Sequence, residues 1–189
     1  MTRWLAPLMA GLVAVAISFW LVLNWVPGFL MAKAMDRVEN VVGINTAWSG
    51  PPTDENTRNV VRPSPDILYS ICAFDLSEGH VELNVPWPED GSYASVSFYD
   101  ANTNNFAVIN DRDDKIERDG VESETSLVLF HLDRSSSSIT LPDLRGGRDE
   151  QIISPTQTGL ALYRRVVMGG TSVEEADTGR RAFSCEVAG

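Results

Sequence analysis

Asp100, Asn102, Asn104 and Asn105 crowd into six consecutive positions. Carboxamides beside a carboxylate on one loop are suited to orienting a polar ligand, or a Ca2+ ion, through oxygen atoms. The same residue types serve turns, because Asn and Asp side chains hydrogen-bond their own backbone and tolerate left-handed conformations. A second group, Arg62, Asp66 and Tyr69, stands where a proline-rich arm enters an apolar stretch. There Arg62 can pair with Asp66 and pin the arm, with the Tyr69 hydroxyl reaching a backbone carbonyl. The sharper reading makes Arg62, Tyr69 and Asn104 a ligand site.

Other chemistries find little support. Two histidines, His80 and His131, and two distant cysteines make no zinc spacing. No Ser or Cys nucleophile is positioned beside either histidine by sequence. The stretch Asn110-Asp111-Arg112-Asp113-Asp114 lacks the glycine and terminal glutamate of an EF-hand loop and reads as a solvated charge run. Gly146-Gly147 and Gly169-Gly170 read as turns rather than phosphate cradles. No metal and no cofactor are expected, and an enzyme is the less favoured class. Cys72 and Cys185 have two readings. In an exported domain they form one disulfide tying the C-terminal tail to a central strand, and in a cytosolic one they are buried thiols.

These residues must be positioned by a chain of 189 residues with a net charge of −11. So acidic a chain is a poor partner for nucleic acid and for anionic lipid surfaces, since both demand a basic patch. Leu5 to Leu23 is a charge-free apolar run of about nineteen residues, enough to cross a ~30 Å hydrocarbon core as a helix. Trp4 at one end, with Trp20 and Trp25 at the other, suits the aromatic belts of membrane interfaces. A cleavable signal peptide competes, with Ala32-Lys33-Ala34 as its cleavage pattern. Against it, the apolar stretch greatly exceeds the ~7–15 residues of an ordinary signal core. Ala6, Ala10, Ala14 and Ser18 repeat every four positions, and such rows let a second membrane helix approach closely. Arg3 before the run and Lys33 and Arg37 after it nearly balance. The orientation adopted puts the amino terminus inside and the domain outside.

Beyond the span, Met31, Met35, Val38 and Val42 recur at helical spacing and Gly43 is a natural stop. Thr46 to Pro65 reads as a linker or extended arm. Leu68–Phe74 is apolar on both faces, as in a strand buried inside a sandwich. Val81, Leu83 and Val85, then Ala94, Val96 and Phe98, alternate with polar neighbours in the period-two pattern of half-buried strands. Phe106–Ile109, Leu127–Leu132 and Leu160–Met168 read as further strands, with Ile139–Leu141 and Gln151–Ile153 as weaker candidates. Ser172 is placed to cap a short helix running to Arg181, with Glu174 and Glu175 in its first turn. The fold class is therefore mainly β: an antiparallel β-sandwich or jelly-roll-like domain preceded by a single N-terminal transmembrane helix. The division is an anchor over 1–31, a juxtamembrane helix and linker over 32–57, and the β-domain over 58–189.

Three stretches, Arg62-Pro63-Ser64-Pro65-Asp66-Ile67-Leu68-Tyr69-Ser70, Phe74-Asp75-Leu76-Ser77 and Phe98 to Ile109, resemble a bacterial family known as domain of unknown function 1254. Ile153-Ser154-Pro155-Thr156 and Leu162-Tyr163-Arg164 are similar to its C-terminal portion. The resemblance implies a β-sandwich or jelly roll and little about activity. Larger members are similar to a two-domain protein, and this chain resembles the small anchored form. A separately encoded partner supplying the second β-domain is then expected.

The function expected is that of a single-pass protein of the bacterial inner membrane with a periplasmic domain. It would serve as an accessory or interaction subunit of a membrane-associated assembly. The alternative is an exported small-molecule-binding or enzymatic domain using the Arg62/Tyr69/Asn104 region.

Overall fold

The computed structural model describes residues 4–53, 63–112, 124–131, 150–168 and 170–188. The first element, α1 (Leu5–Val42), is one continuous helix that carries the apolar run straight into the domain. Pro27 lies inside it, removing one backbone donor without ending the helix. Gly43 ends it at φ 97°, a left-handed conformation that glycine adopts without the Cβ penalty, and donates its N–H to the Glu39 carbonyl at 2.9 Å.

Among the described residues nine strands follow: β1 (Ala47–Ser49), β2 (Ile67–Asp75), β3 (Val81–Pro86), β4 (Ala94–Asp100), β5 (Asn105–Asn110), β6 (Glu124–His131), β7 (Glu150–Ser154), β8 (Thr158–Val166) and β9 (Ser184–Val187). A short helix, α2 (Val173–Arg180), precedes β9, and the Ser172 hydroxyl caps it by accepting from Glu175 N–H. One sheet has the order β1-β2-β8-β4-β5 and the other β7-β6-β3-β9. Their inner faces supply the core. Cys72, Phe74, Val96, Phe98 and Tyr163 come from the first sheet, and Val81, Leu83, Val85, Leu127 and Leu129 from the second. Each such side chain contributes roughly 1.5–3 kcal/mol by leaving water.

Three expectations change. The sheets are not wholly antiparallel, because β7 runs parallel to β6. A parallel neighbour requires a long connection, and eighteen residues separate the two strands in sequence. The arm beginning at Thr46 is partly strand: Ala47–Ser49 pairs with Ser70–Cys72 at the sheet edge. Three residues are too few to show a period. Strand β2 is buried on both faces only towards its end, since Tyr69 and Ile71 are half-buried on the outer face while Ala73 is covered. The strand candidate at Ile139–Leu141 lies outside the described residues.

The cover over Ala73 is α1. Tyr99, Leu160 and Ala73 stand in register across β4, β8 and β2. Met31, Met35, Val38 and Val42 pack upon that row. From Met31 to Val42 the helix rises about 16 Å, and the three strands span about 10 Å. The helix therefore crosses the strands instead of following them. It begins at the β4–β5 loop, where Gly28 faces Ala101 and Asn102. It ends over β2, where Asn45 N–H bonds the Ala73 carbonyl at 2.8 Å and its side chain exchanges two bonds with the Asp75 backbone.

Candidate functional site

The Asp100 loop closes upon itself. Strand β4 delivers Asp100 to the hairpin, where Oδ1 accepts from the Asn102 and Asn104 N–H groups, each at 2.8 Å. Oδ2 accepts from the Asn104 carboxamide at 2.9 Å. Asp100 is buried, whereas Asn102, Asn104 and Asn105 are exposed. Thr103 takes φ 68°, the left-handed geometry that such a tight turn demands. The neighbouring β7–β8 turn buttresses it, with the Thr156 hydroxyl accepting from Ala101 N–H at 3.0 Å. A carboxylate engaged by three local donors holds a turn, and this arrangement favours the turn reading over ion ligation. Among the described residues no group of three His, Cys, Asp or Glu side chains is placed to hold a metal.

The second candidate group does not join the first. Arg62 lies outside the described residues. Tyr69 pairs with Arg164 of β8, whereas Asp100 at the mouth of the loop pairs with Gly159. Five residues along one strand separate those levels by about 17 Å. Tyr69 and Asn104 therefore mark opposite ends of the sheet and line no common pocket. Asp66 is exposed, and its part in the structure is played by its carbonyl, which accepts from Val167 N–H at 2.8 Å. Beside Tyr69 on the outer face, Arg164 donates to the buried Ser97 hydroxyl at 2.8 Å.

A further polar cluster, among the described residues, leaves little local pattern in the sequence. Asp90 accepts from the Ser92 N–H at 2.9 Å, from the Ser92 and Thr171 hydroxyls at 2.5 Å each, and from Arg165 at 3.1 Å. The Ser92 and Thr171 hydroxyls, assisted by the other two donors and opposed by burial, hold its carboxyl well below the usual carboxylate range. Close by, Arg180 is 0 % exposed. It donates to the Gly50 carbonyl at 2.6 Å, to the Tyr69 carbonyl and to Asp177. Burial works to raise the Asp177 carboxyl, but Arg180 and Arg181 outweigh it and leave the group lowered. Paired guanidinium and carboxylate groups tied to backbone carbonyls brace α2 against β1 and β2. One sequence signal was available: Arg165 has the inward parity of Ala161 and Tyr163, and a charge at an inward position needs partners. The phenol of Tyr163, raised by burial, donates to the Pro86 carbonyl at 2.7 Å.

The remaining candidates are structural. His131 meets the Ser154 carbonyl through Nδ1 at 2.9 Å, which ties β6 to β7. Cys72 and Cys185 form a disulfide with Cα atoms 6.4 Å apart, joining β2 of one sheet to β9 of the other. Ala6, Ala10, Ala14 and Ser18 are all exposed on α1. That helix is long and apolar enough to cross a membrane, and its most apolar window is unburied.

Comparison with known proteins agrees with this architecture. The family described as "Protein of unknown function (DUF1254)" matches residues 44–187, and the chain belongs to it. No curated protein matches the sequence. The VPA0106 protein from Vibrio parahaemolyticus is similar in structure, with a TM-score of 0.62 at 14% identity over 88% of this chain and 36% of that one. An uncharacterized protein from Burkholderia cenocepacia gives a TM-score of 0.47 at 13% identity over 77% of this chain and 34% of that one. The chain thus spans about a third of the length of these solved proteins. At such identities the likeness concerns the fold alone.

Proposed function

We propose that this member of the DUF1254 family is a single-pass membrane protein whose β-domain serves as an accessory or interaction subunit of a membrane-associated assembly in the cell envelope. The domain stands on the periplasmic side of a bacterial inner membrane. A separately encoded second β-domain is the partner expected from the family resemblance. The observation that carries this reading is the division of labour within α1. Its first half exposes apolar side chains on every side, while Met31 and Val38 are buried on the sheet. A helix used in this way fixes a folded domain in a set orientation at a membrane, which suits docking to a fixed partner. The row Ala6, Ala10, Ala14 and Ser18 offers the close-approach face such a partner helix would use. The disulfide supports the exported placement, since such bonds persist in oxidising compartments.

The test is purification of the full chain from its own membrane in mild detergent, with identification of co-purifying proteins. A stoichiometric partner lost on Ala10→Leu with Ala14→Leu is expected. A monomer that carries nothing with it would remove the accessory reading.

A further inference from the structure

The β4–β5 loop touches α1 at the level where the apolar surface of the helix ends. A Cβ placed on Gly28 would lie 3.6 Å from Asn102 Oδ1 and 3.8 Å from the Ala101 carbonyl. Trp25, Phe29 and Leu30 are exposed on the same stretch, and Met31 is the first residue of α1 to be buried. The first charge after Leu5 is Lys33. Whatever medium surrounds Phe29 and Leu30 therefore reaches the loop as well.

Since α1 crosses the strands, the sheets lie side-on to the helix axis. Edge strand β5 is turned towards the amino-terminal half of α1, and edge strand β1 is turned away. The disulfide keeps β9 beside β2, so the corresponding edge of the second sheet is β7. Both edges on that side present an aliphatic side chain: Val108 is 47% exposed and Ile153 52%. Ala101 to Asn110 contains no ionisable residue, in a chain that is 22% charged with a net charge of −11. The β5 edge and its loop thus carry no carboxylate for anionic phosphates to repel, whereas β7 carries Glu150 at its start.

We infer that the β5 edge and the Asp100–Asn105 loop rest on the phospholipid headgroup layer, with the strands running parallel to the bilayer plane. This rests on the membrane-anchor reading above. The exposed carboxamides of Asn102 and Asn105 and the Thr103 hydroxyl donate to phosphate and ester oxygens, and Val108 reaches the upper acyl region.

The test uses the full chain in vesicles of phosphatidylethanolamine and phosphatidylglycerol. The photoreactive residue p-benzoylphenylalanine replaces Leu12, Asn105, Val108 or Glu174, one at a time. Leu12 reports the span, and Glu174 lies on α2, which Arg180 ties to the β1–β2 side. Resistance of Cys72 and Cys185 to alkylation verifies folding in each variant. Phospholipid adducts at 12, 105 and 108, at least tenfold above those at 174, are expected. Adducts at 12 but none at 105 and 108 overturn the inference and leave the anchor standing. Adducts to a second copy of the chain at 105 and 108 also overturn it, making this edge a protein interface. A variant at 12 without lipid adducts overturns the anchor reading, and the inference falls with it.

Discussion

The buried guanidinium of Arg180 donates to the backbone carbonyl of Tyr69, so the C-terminal helix is tied to strand β2 through main chain, not through the tyrosine ring. The same group reaches Gly50 just beyond β1 and Asp177 one turn back in α2. Tyr69, attractive as a ligand-binding residue, thus contributes its peptide. Replacing Arg180 by methionine keeps the volume, removes this donor from two buried carbonyls and leaves Asp177 with Arg181 alone. A loss of about 3–5 kcal/mol is expected, read as a lower urea midpoint at unchanged slope. Arg180→Lys should recover only part of it, because an ammonium cannot present the planar fork.

The Asp90 carboxylate gives the domain an acid limb. Its folded value is held below the ordinary value of 3.8 by the Ser92 and Thr171 hydroxyls above all. Stability from this group is therefore complete above that ordinary value and is lost as pH falls through the lowered folded one. Asp177, also lowered, adds to the same limb. Denaturant midpoints measured between pH 6 and pH 2 should fall for the native chain. Asp90→Asn should start lower and fall less, so the two curves converge in acid. A constant gap across that range would refute the assignment.

How much of this was legible in the sequence depended on the reach of each signal. Alternation exposed β3 and β4, the spacing from Met31 to Val42 exposed the helix, and Ser172 announced its cap. Each of these is a local pattern. The parallel pairing of β6 with β7 depends on a crossover and leaves no local mark. Strand β1 is three residues long and gains its identity only from β2. The candidate site fared worse for a related reason. Arg62, Tyr69 and Asn104 share only residue types suited to a ligand, and strand register, which sequence alone does not show, sets Tyr69 and Asn104 at opposite ends. The Asp90–Arg165 and Arg180–Tyr69 ties link positions 75 and 111 residues apart.

Cys72 and Cys185 close a loop of 113 residues between the two sheets. In the chain-entropy view such a cross-link stabilises by about 4–5 kcal/mol, by restricting the unfolded chain. Cys72→Ala with Cys185→Ala should cost about 2–5 kcal/mol, observed as a lower thermal midpoint. Protein extracted under acid quench should resist alkylation until reductant is added. Thiols that react at once would contradict both the bond and the exported location.

Gly159 is where the Asp100 loop meets the rest of the sheet. A Cβ there would collide with the Tyr99 carbonyl on the neighbouring strand and come within 2.5 Å of Phe74 Cζ. The first obstacle is backbone and the second a fully buried ring, so neither can swing aside. Glycine is needed here for close approach, not for an unusual φ. Gly159→Ala should destabilise by about 1–3 kcal/mol as an overpacked core does. Because Gly159 stands opposite Asp100, the damage should spread to the hairpin. Hydrogen exchange at the Asn102 and Asn104 amides, both held by Asp100, should quicken more than at Leu83 in the facing sheet. Equal acceleration at all three would mean that the glycine serves the whole sandwich and has no particular link to the loop.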